Sequence, residues 1–225
     1  MQERPEQHEQ ATYVKAARFD WLTPVYDLLV VALARERQWK PALVAQIELE
    51  PGMRVLDLGC GTGTLAIAIA RAEPGASVAG LDGDPRILSR ARRKAANANV
   101  DITFVHGLAQ DPPLPPESFD AVVSSLLFHR LRPEAKELVL AKACGLLRPG
   151  GRIHIADCGR PQDPLMRLLS LSVRLLDGPA STHDSLAGCL PSVVVRAGFR
   201  DVIETGVWRT AVGTLRLLHA TAEAR

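Results

Sequence analysis

Cysteine is scarce and scattered: Cys60, Cys144, Cys158 and Cys189 include no CxxC pair. That spacing argues against a disulfide framework or a zinc clip, and it suits a reducing compartment. An excess of one charge is missing too. Lys and Arg total 27 against 25 Asp and Glu, a net charge of +2, so no basic field is available to grip a phosphate backbone and no nucleic-acid partner is expected. No apolar run approaches the roughly 20 residues of a membrane span, because VVSSLLFHRL meets charge almost at once. MQERPEQHEQ has no apolar segment behind a basic start and does not read as a signal peptide. Aromatic residues make up only 4% of the 225, while 47% are hydrophobic and 23% charged. This is neither a collagen-like nor a disordered composition. The length suits one domain of roughly 200–250 residues, or two small ones. The expectation is a globular protein of the cytoplasm.

The first residues are polar and lack apolar periodicity, so 1–18 reads as a mobile arm leading into N-terminal helices over 19–50. Leu22, Val25, Tyr26, Leu29, Val30 and Leu33 recur at helical spacing, and Pro41 is expected to break this stretch into two helices. Beyond it, short apolar runs alternate with helical segments. MRVLDLG, SVAGLD, DITFVHG, FDAVVSS and GRIHIAD read as strands; 64–72, 85–97 and 133–147 read as helices. Near-continuous apolar strands separated by helices argue for a parallel sheet covered on both faces. Asp84-Pro85 is a helix start with Asp at the N-cap, and LRPGG supplies a glycine turn at a helix end. After Asp157 the pattern loosens into PLMRLLSLSVRLL and a polar segment, an expected substrate-covering insertion at about 160–190. DVIETGVW and TLRLLHA read as a closing antiparallel hairpin joined by about four residues that include Gly213.

The strongest signal is VLDLGCGTGTLAIAIA, which sets Asp57, Gly59, Cys60, Gly61 and Gly63 between a strand and a helix. Glycines at alternate positions permit a sharp turn and let a ligand touch main chain. The next helix aims its N-terminus there. A dinucleotide loop of the G-x-G-x-x-G/A kind is met loosely by Gly61, Gly63 and Ala66, with Asp82 placed to hold a ribose. The competing pattern is the D-x-G-x-G-x-G loop that binds S-adenosylmethionine. Asp57 favours the second. A carboxylate at the strand tip would repel a pyrophosphate but attract an ammonium or a sulfonium.

With these residues in hand, the sequence resembles the class I S-adenosylmethionine-dependent methyltransferases, in the small-molecule branch of the ubiquinone/menaquinone-biosynthesis enzymes. VLDLGCGTG matches the first family motif and GLDGDPRIL the second. GLAQDPPLPPESFDAVVSS matches a third without a gap, and LLRPGGRIHIAD resembles the motif before strand 5. The resemblance implies an α/β fold: a Rossmann-like seven-stranded, mostly parallel sheet of order 3-2-1-4-5-7-6, strand 7 antiparallel, with helices on both faces. It implies S-adenosylmethionine as cofactor, with Asp57 facing the methionine amino group and Gly59, Cys60, Gly61 and Gly63 lining the cofactor. Asp82, beside Gly83, would take the ribose, Leu108 and Ala109 would lie at the adenine, and Ser124 to Leu126 would border the reacting methyl. By the same resemblance Tyr26 and Asp27 would sit near the cofactor; a buried helical Tyr26 is the plainer alternative. Leu108 departs from the family, which often has an acid contacting the adenine amine there. D-P-P-L at 111–114 precedes strand 4, so it reads as a proline-stiffened loop and not as a base-flipping motif.

His129, just beyond strand 4, is the candidate general base, since imidazole titrates in the physiological range. Packing against the cofactor is the plainer alternative. His154 alternates with apolar residues and reads as structural, whereas His183 lies in the segment expected to cover the substrate. Cys60 is there because the loop wants a small side chain. His8, His106 and His219 have no partners at ligand spacing, so no metal site is expected. The expected function is methyl transfer to a small-molecule acceptor, with a homodimer kept open. Methyl transfer from a sulfonium mainly requires donor and acceptor to be aligned and water excluded, so no obligatory nucleophile is needed. Two rivals stand beside it: a non-catalytic S-adenosylmethionine-binding module and a nicotinamide-dependent oxidoreductase.

Overall fold

Seven runs of β-branched and aliphatic residues pair into one sheet, of order β3-β2-β1-β4-β5-β7-β6. The computed structural model describes residues 36–177, 186–211 and 213–223. Along the chain come α1 (Glu36–Gln46), β1 (Arg54–Leu58), α2 (Thr64–Ala72), β2 (Ser77–Asp82), α3 (Pro85–Asn97), β3 (Thr103–His106) and β4 (Phe119–Ser125). A 3₁₀ turn (Phe128–Arg130) precedes α4 (Pro133–Leu146), β5 (Leu147–Cys158), α5 (Pro164–Asp177), α6 (Leu190–Arg196), β6 (Phe199–Thr210) and β7 (Gly213–Ala222). β1 pairs in parallel with both β2 and β4, β4 with β5, and β7 runs antiparallel to β5 and β6. The order and direction are those expected.

Strand alternation sends side chains to two cores. Val55, Val123 and Leu217 pack with Trp39 and Leu43 of α1 and with Leu65 and Ile69 of α2. On the other face Leu56, Val122, Ile153 and Leu218 meet Val139 and Leu140 of α4 and Val194 of α6. α3 starts as expected: Asp84 caps it by accepting from the Arg86 and Ile87 amides, with Pro85 in the first turn.

Three local expectations are corrected. Pro41 lies inside α1 and does not divide it. A proline within a helix costs about 3 kcal/mol through its missing donor and ring clash. Trp39 and Leu43 flank it with no exposed surface, and burying each contributes about 1.5–3 kcal/mol, so packing overrides the local preference. α4 ends without a glycine, on Leu147 in extended conformation. The glycines act later, Gly150 at φ +79 within the irregularity that separates the pair Phe119–Leu147 from the pair Ala121–Arg152. In the hairpin Gly213 is the first residue of β7 and pairs with Thr210. The connection is tighter than expected because the strands keep pairing to its base. The arm at 1–18, the helical reading over 19–35 with Tyr26 and Asp27, and His183 lie outside the described residues.

Candidate active site

The loop after β1 turns on three residues in the left-handed region, Gly59 (φ +73), Gly61 (φ +52) and Gly63 (φ +72). Their roles differ. A Cβ on Gly59 would meet Leu127 at 3.0 Å, and one on Gly63 would meet Phe104 at 3.0 Å. At Gly61 no described residue lies within 4 Å of a Cβ placed there, so among the described residues the loop presents bare backbone. The Gly59 and Cys60 amides both donate to the Leu81 carbonyl at 2.9 Å, which docks the loop on the end of β2. Burial and the nearby carboxylates of Asp57 and Asp82 push the Cys60 thiol up, so it stays protonated and is no nucleophile.

Asp57 has no exposed surface. One oxygen, Oδ2, accepts from the Ala66 amide at 3.1 Å in the first turn of α2. Oδ1 is buried without a partner among the described residues. Burial pushes this carboxyl up to about 7, against the pull of Lys40 and the Ala66 amide. A buried carboxylate oxygen with no donor costs free energy until a cation or donor meets it. The residues present therefore fit the ammonium of a cofactor. Two cations that the sequence reading did not single out also lie here. Lys40 of α1 acts on Asp57, and Lys94 Nζ of α3 donates to Thr62 Oγ1 (3.1 Å) and Thr64 Oγ1 (2.6 Å). Residues so far apart in sequence carry no shared local signal.

Asp82 ties two loops together. Its Oδ2 accepts from the Gly61 amide and its Oδ1 from the Asp84 amide, both at 2.9 Å. Gly83 follows it, and its carbonyl accepts from His106 Nε2 at 3.1 Å. Beyond β3, Leu108 is 38% exposed and bridges to Asp111, while Ala109 packs on the core beneath. Pro113 sits against Gly107, where a Cβ would meet its Cδ at 2.4 Å; this is the stiffened loop expected of D-P-P-L. Ser124 is fully buried and its hydroxyl donates to the Leu58 carbonyl at 2.9 Å. It ties β4 to β1 instead of presenting an open hydroxyl.

The chain then makes an uncommon turn. Leu126 stands at φ +56 with its amide on the Ala156 carbonyl, and Leu127 lies against Gly59. A branched residue in the left-handed region costs free energy that surrounding contacts must offset. His129 follows, 5% exposed, its Nδ1 donating to Asp157 Oδ1 at 2.6 Å. Asp157, at the end of β5, was visible in the sequence only as the last letter of a strand. Cys158 brings a third ligand-type atom within 4.8 Å of these two. Both Asp157 oxygens are already committed to N–H donors, as ring and backbone geometry require. On the far side of the sheet His154 is structural as expected: Gln46 Nε2 donates to its Nδ1 at 3.1 Å. Burial, with His219 and Arg152 nearby, pushes its ring down to about 3, which keeps it neutral.

A family profile described as a methyltransferase domain matches residues 55–151. The ubiquinone/menaquinone biosynthesis C-methyltransferase UbiE of Syntrophotalea carbinolica is 32% identical over 150 residues, 66% of this chain and 62% of that protein. Over these residues the chain is similar to the class I S-adenosylmethionine-dependent methyltransferases. Its relatives include the 2-phytyl-1,4-naphtoquinone methyltransferase of Synechococcus elongatus, 37% identical over 158 residues, 66% of this chain and 65% of that one. Among solved structures the chain superposes on the S-adenosylmethionine-dependent methyltransferase SibL in its apo form with a TM-score of 0.68 at 26% identity. That match covers 84% of this chain and 56% of SibL. The chain spans less than two thirds of the length of these curated relatives.

Proposed function

We propose that this chain transfers the methyl group of S-adenosylmethionine to a small-molecule acceptor of the quinone class in its reduced, hydroxylated form. The observation that carries the reading is Asp57: a buried carboxylate oxygen with no partner among the described residues, beside a loop where none of them crowds Gly61. The quinone class is supported by the names of the relatives. In this reading Asp57 receives the cofactor's ammonium, and Gly59, Cys60, Gly61 and Gly63 line its methionine end. Asp82 and Gly83 hold the ribose, and Leu108 and Ala109 lie at the adenine. Ser124 supports the floor of the site from within the sheet. When bound, S-adenosylmethionine supplies a methyl group on a positively charged sulfur that leaves readily. His129 takes the proton from the acceptor hydroxyl, which raises electron density on the ring carbon or oxygen that receives the methyl.

Among the described residues no helix is long and apolar enough to cross a membrane. The reading includes a cytoplasmic location, no nucleic-acid partner and a homodimer; exposed Leu165, Leu168 and Leu171 of α5 offer a face for the last. Residues 160–190 remain the proposed cover of the acceptor, and 1–18 the proposed arm.

Thermal-shift titration distinguishes the rivals, since a ligand that binds only the folded state raises its melting temperature. S-adenosylmethionine should stabilise the protein, and NAD and NADP should not. Stabilisation by NAD instead would turn the reading toward an oxidoreductase. Methyl transfer to 1,4-naphthohydroquinone then separates an enzyme from a binding module. A further expectation follows from Leu108, whose side chain cannot accept from the adenine amine. Leu108→Asp should tighten S-adenosylmethionine binding by roughly 1 kcal/mol, measured by calorimetry. Weaker binding by a folded variant would place the adenine elsewhere.

A further inference from the structure

Around the loop after β1 stand an acid and a cation that the described residues leave without a paired counter-ion. The acid is Asp57, with no exposed surface and with Oδ1 unpartnered. The cation is Lys94 of α3, whose Nζ donates to Thr62 Oγ1 at 3.1 Å and to Thr64 Oγ1 at 2.6 Å. Both acceptors are neutral hydroxyls, and Lys94 makes no ion pair among the described residues. Loss of water at the ammonium and the charge of Lys40 hold its pKa below the usual lysine range, against the pull of Glu36. Glu36 is itself paired with Lys40, so those two bring no net charge to offset Lys94. Thr64 also opens α2, behind Gly63 and with no side-chain cap. Amides at a helix N-terminus carry partial positive charge and favour an anion.

We infer that Lys94, with the Thr62 and Thr64 hydroxyls at the start of α2, receives the carboxylate of the cofactor's amino-acid end and makes the protein selective for a cofactor that bears both an ammonium and a carboxylate. This rests on the proposed methyl-transfer reading, in which Asp57 receives the ammonium. A zwitterion meets both deficits at once: Asp57 Oδ1 lacks a donor and Lys94 lacks an anion. A pyrophosphate would suit Lys94 but repel Asp57. Gly61, between Asp57 and Thr62 in the chain, is crowded by no described residue, so main chain lies bare between the two poles. Tying α3 to the loop would account for the two hydroxyl bonds. A neutral donor would serve that purpose without placing an unpaired ammonium in the field of Lys40.

Calorimetry with S-adenosylmethionine and with its decarboxylated analogue, which keeps the ammonium and the sulfonium, reads the carboxylate alone. The wild type should bind S-adenosylmethionine about tenfold or more tighter than the analogue. A wild type with no such preference would overturn the inference without any variant. In Lys94→Met the preference should shrink to about threefold or less, with affinity for the analogue kept within about twofold. Lys94→Gln, whose amide can still donate to the threonine hydroxyls, should lose the preference in the same way, because charge carries it and the tie does not. Equal loss of affinity for both ligands in Lys94→Met, or a preference kept by Lys94→Gln, would leave Lys94 as a tie between α3 and the loop and overturn the inference. Melting curves run alongside show whether the variants are folded. Failure of the wild type to bind either ligand would overturn the proposed function and this inference with it, whereas the outcomes above overturn the inference alone.

Discussion

Replacing Asp57 with asparagine should raise the melting temperature of the cofactor-free protein near neutral pH and weaken S-adenosylmethionine binding at least tenfold. Both effects come from one buried oxygen. The carboxyl holds its proton up to about 7 in the folded state, against 3.8 for the ordinary group. As pH rises between these values the unfolded chain releases its proton first, so folding loses stability across this window and the loss is complete above about 7. An amide has no proton to lose and still offers an oxygen to the Ala66 amide. Asp57→Asn should therefore gain up to about 4 kcal/mol over the wild type above neutrality and little at pH 4. The sign reverses once cofactor is added, because the ammonium that would offset the buried charge now finds a neutral amide. Wild-type affinity should rise as pH crosses 7, and that of the variant should not. Melting curves and calorimetry at pH 4, 6 and 8 read both quantities. A variant less stable than wild type at pH 8, with cofactor affinity intact, would remove Asp57 from the site.

His129→Ala should lower kcat by about 10²–10⁴ with nearly unchanged cofactor affinity. The size of the effect depends on the acceptor. A phenol or enol must be deprotonated before it can attack, whereas an amine or an acceptor that is already anionic has no use for a base. Equal kcat for both proteins from pH 5 to 9 would leave His129 as packing alone. The ring is buried against Asp157, so the alanine also opens a cavity beside the 3₁₀ turn. A melting temperature measured alongside separates lost chemistry from lost folding. His129→Gln, which fills most of the same space, gives a second reading of kcat.

Much of the site could be read from local chemistry. The strand VLDLG and the glycines after it carry a backbone requirement, three left-handed residues in a row of alternate positions, that only glycine meets without strain. Asp57 and Asp82 were likewise visible because each lies at the C-terminal end of a strand, Asp82 last in β2 and Asp57 next to last in β1, and strand ends in a parallel sheet converge at one edge. Asp84 and Pro85 announced the start of α3. What escaped was everything that depends on residues distant in sequence. Asp157 meets His129 across 28 positions, and Lys94 meets Thr62 across 32. No periodicity encodes such encounters. The use of Ser124 was equally hidden, since a serine at the end of β4 reads the same whether its hydroxyl faces a cofactor or the Leu58 carbonyl.

Pro41 marks the boundary between the two kinds of information. Local propensity is a matter of at most about 3 kcal/mol, and it predicts a break. The burial of Trp39 and Leu43 on the sheet is of the same size or larger, and it carries the helix through. Short-range rules settled the alternation of strands and helices, the glycine loop and the Asp84 cap of α3, because those depend on a few adjacent torsions and donors. Tertiary packing alone decided which side chain meets Asp157, why one oxygen of Asp57 has no donor, and that α1 continues past its proline. Each of these is set by the burial of groups brought together from separate elements, where low polarity makes a missing or a found partner worth more than any local preference.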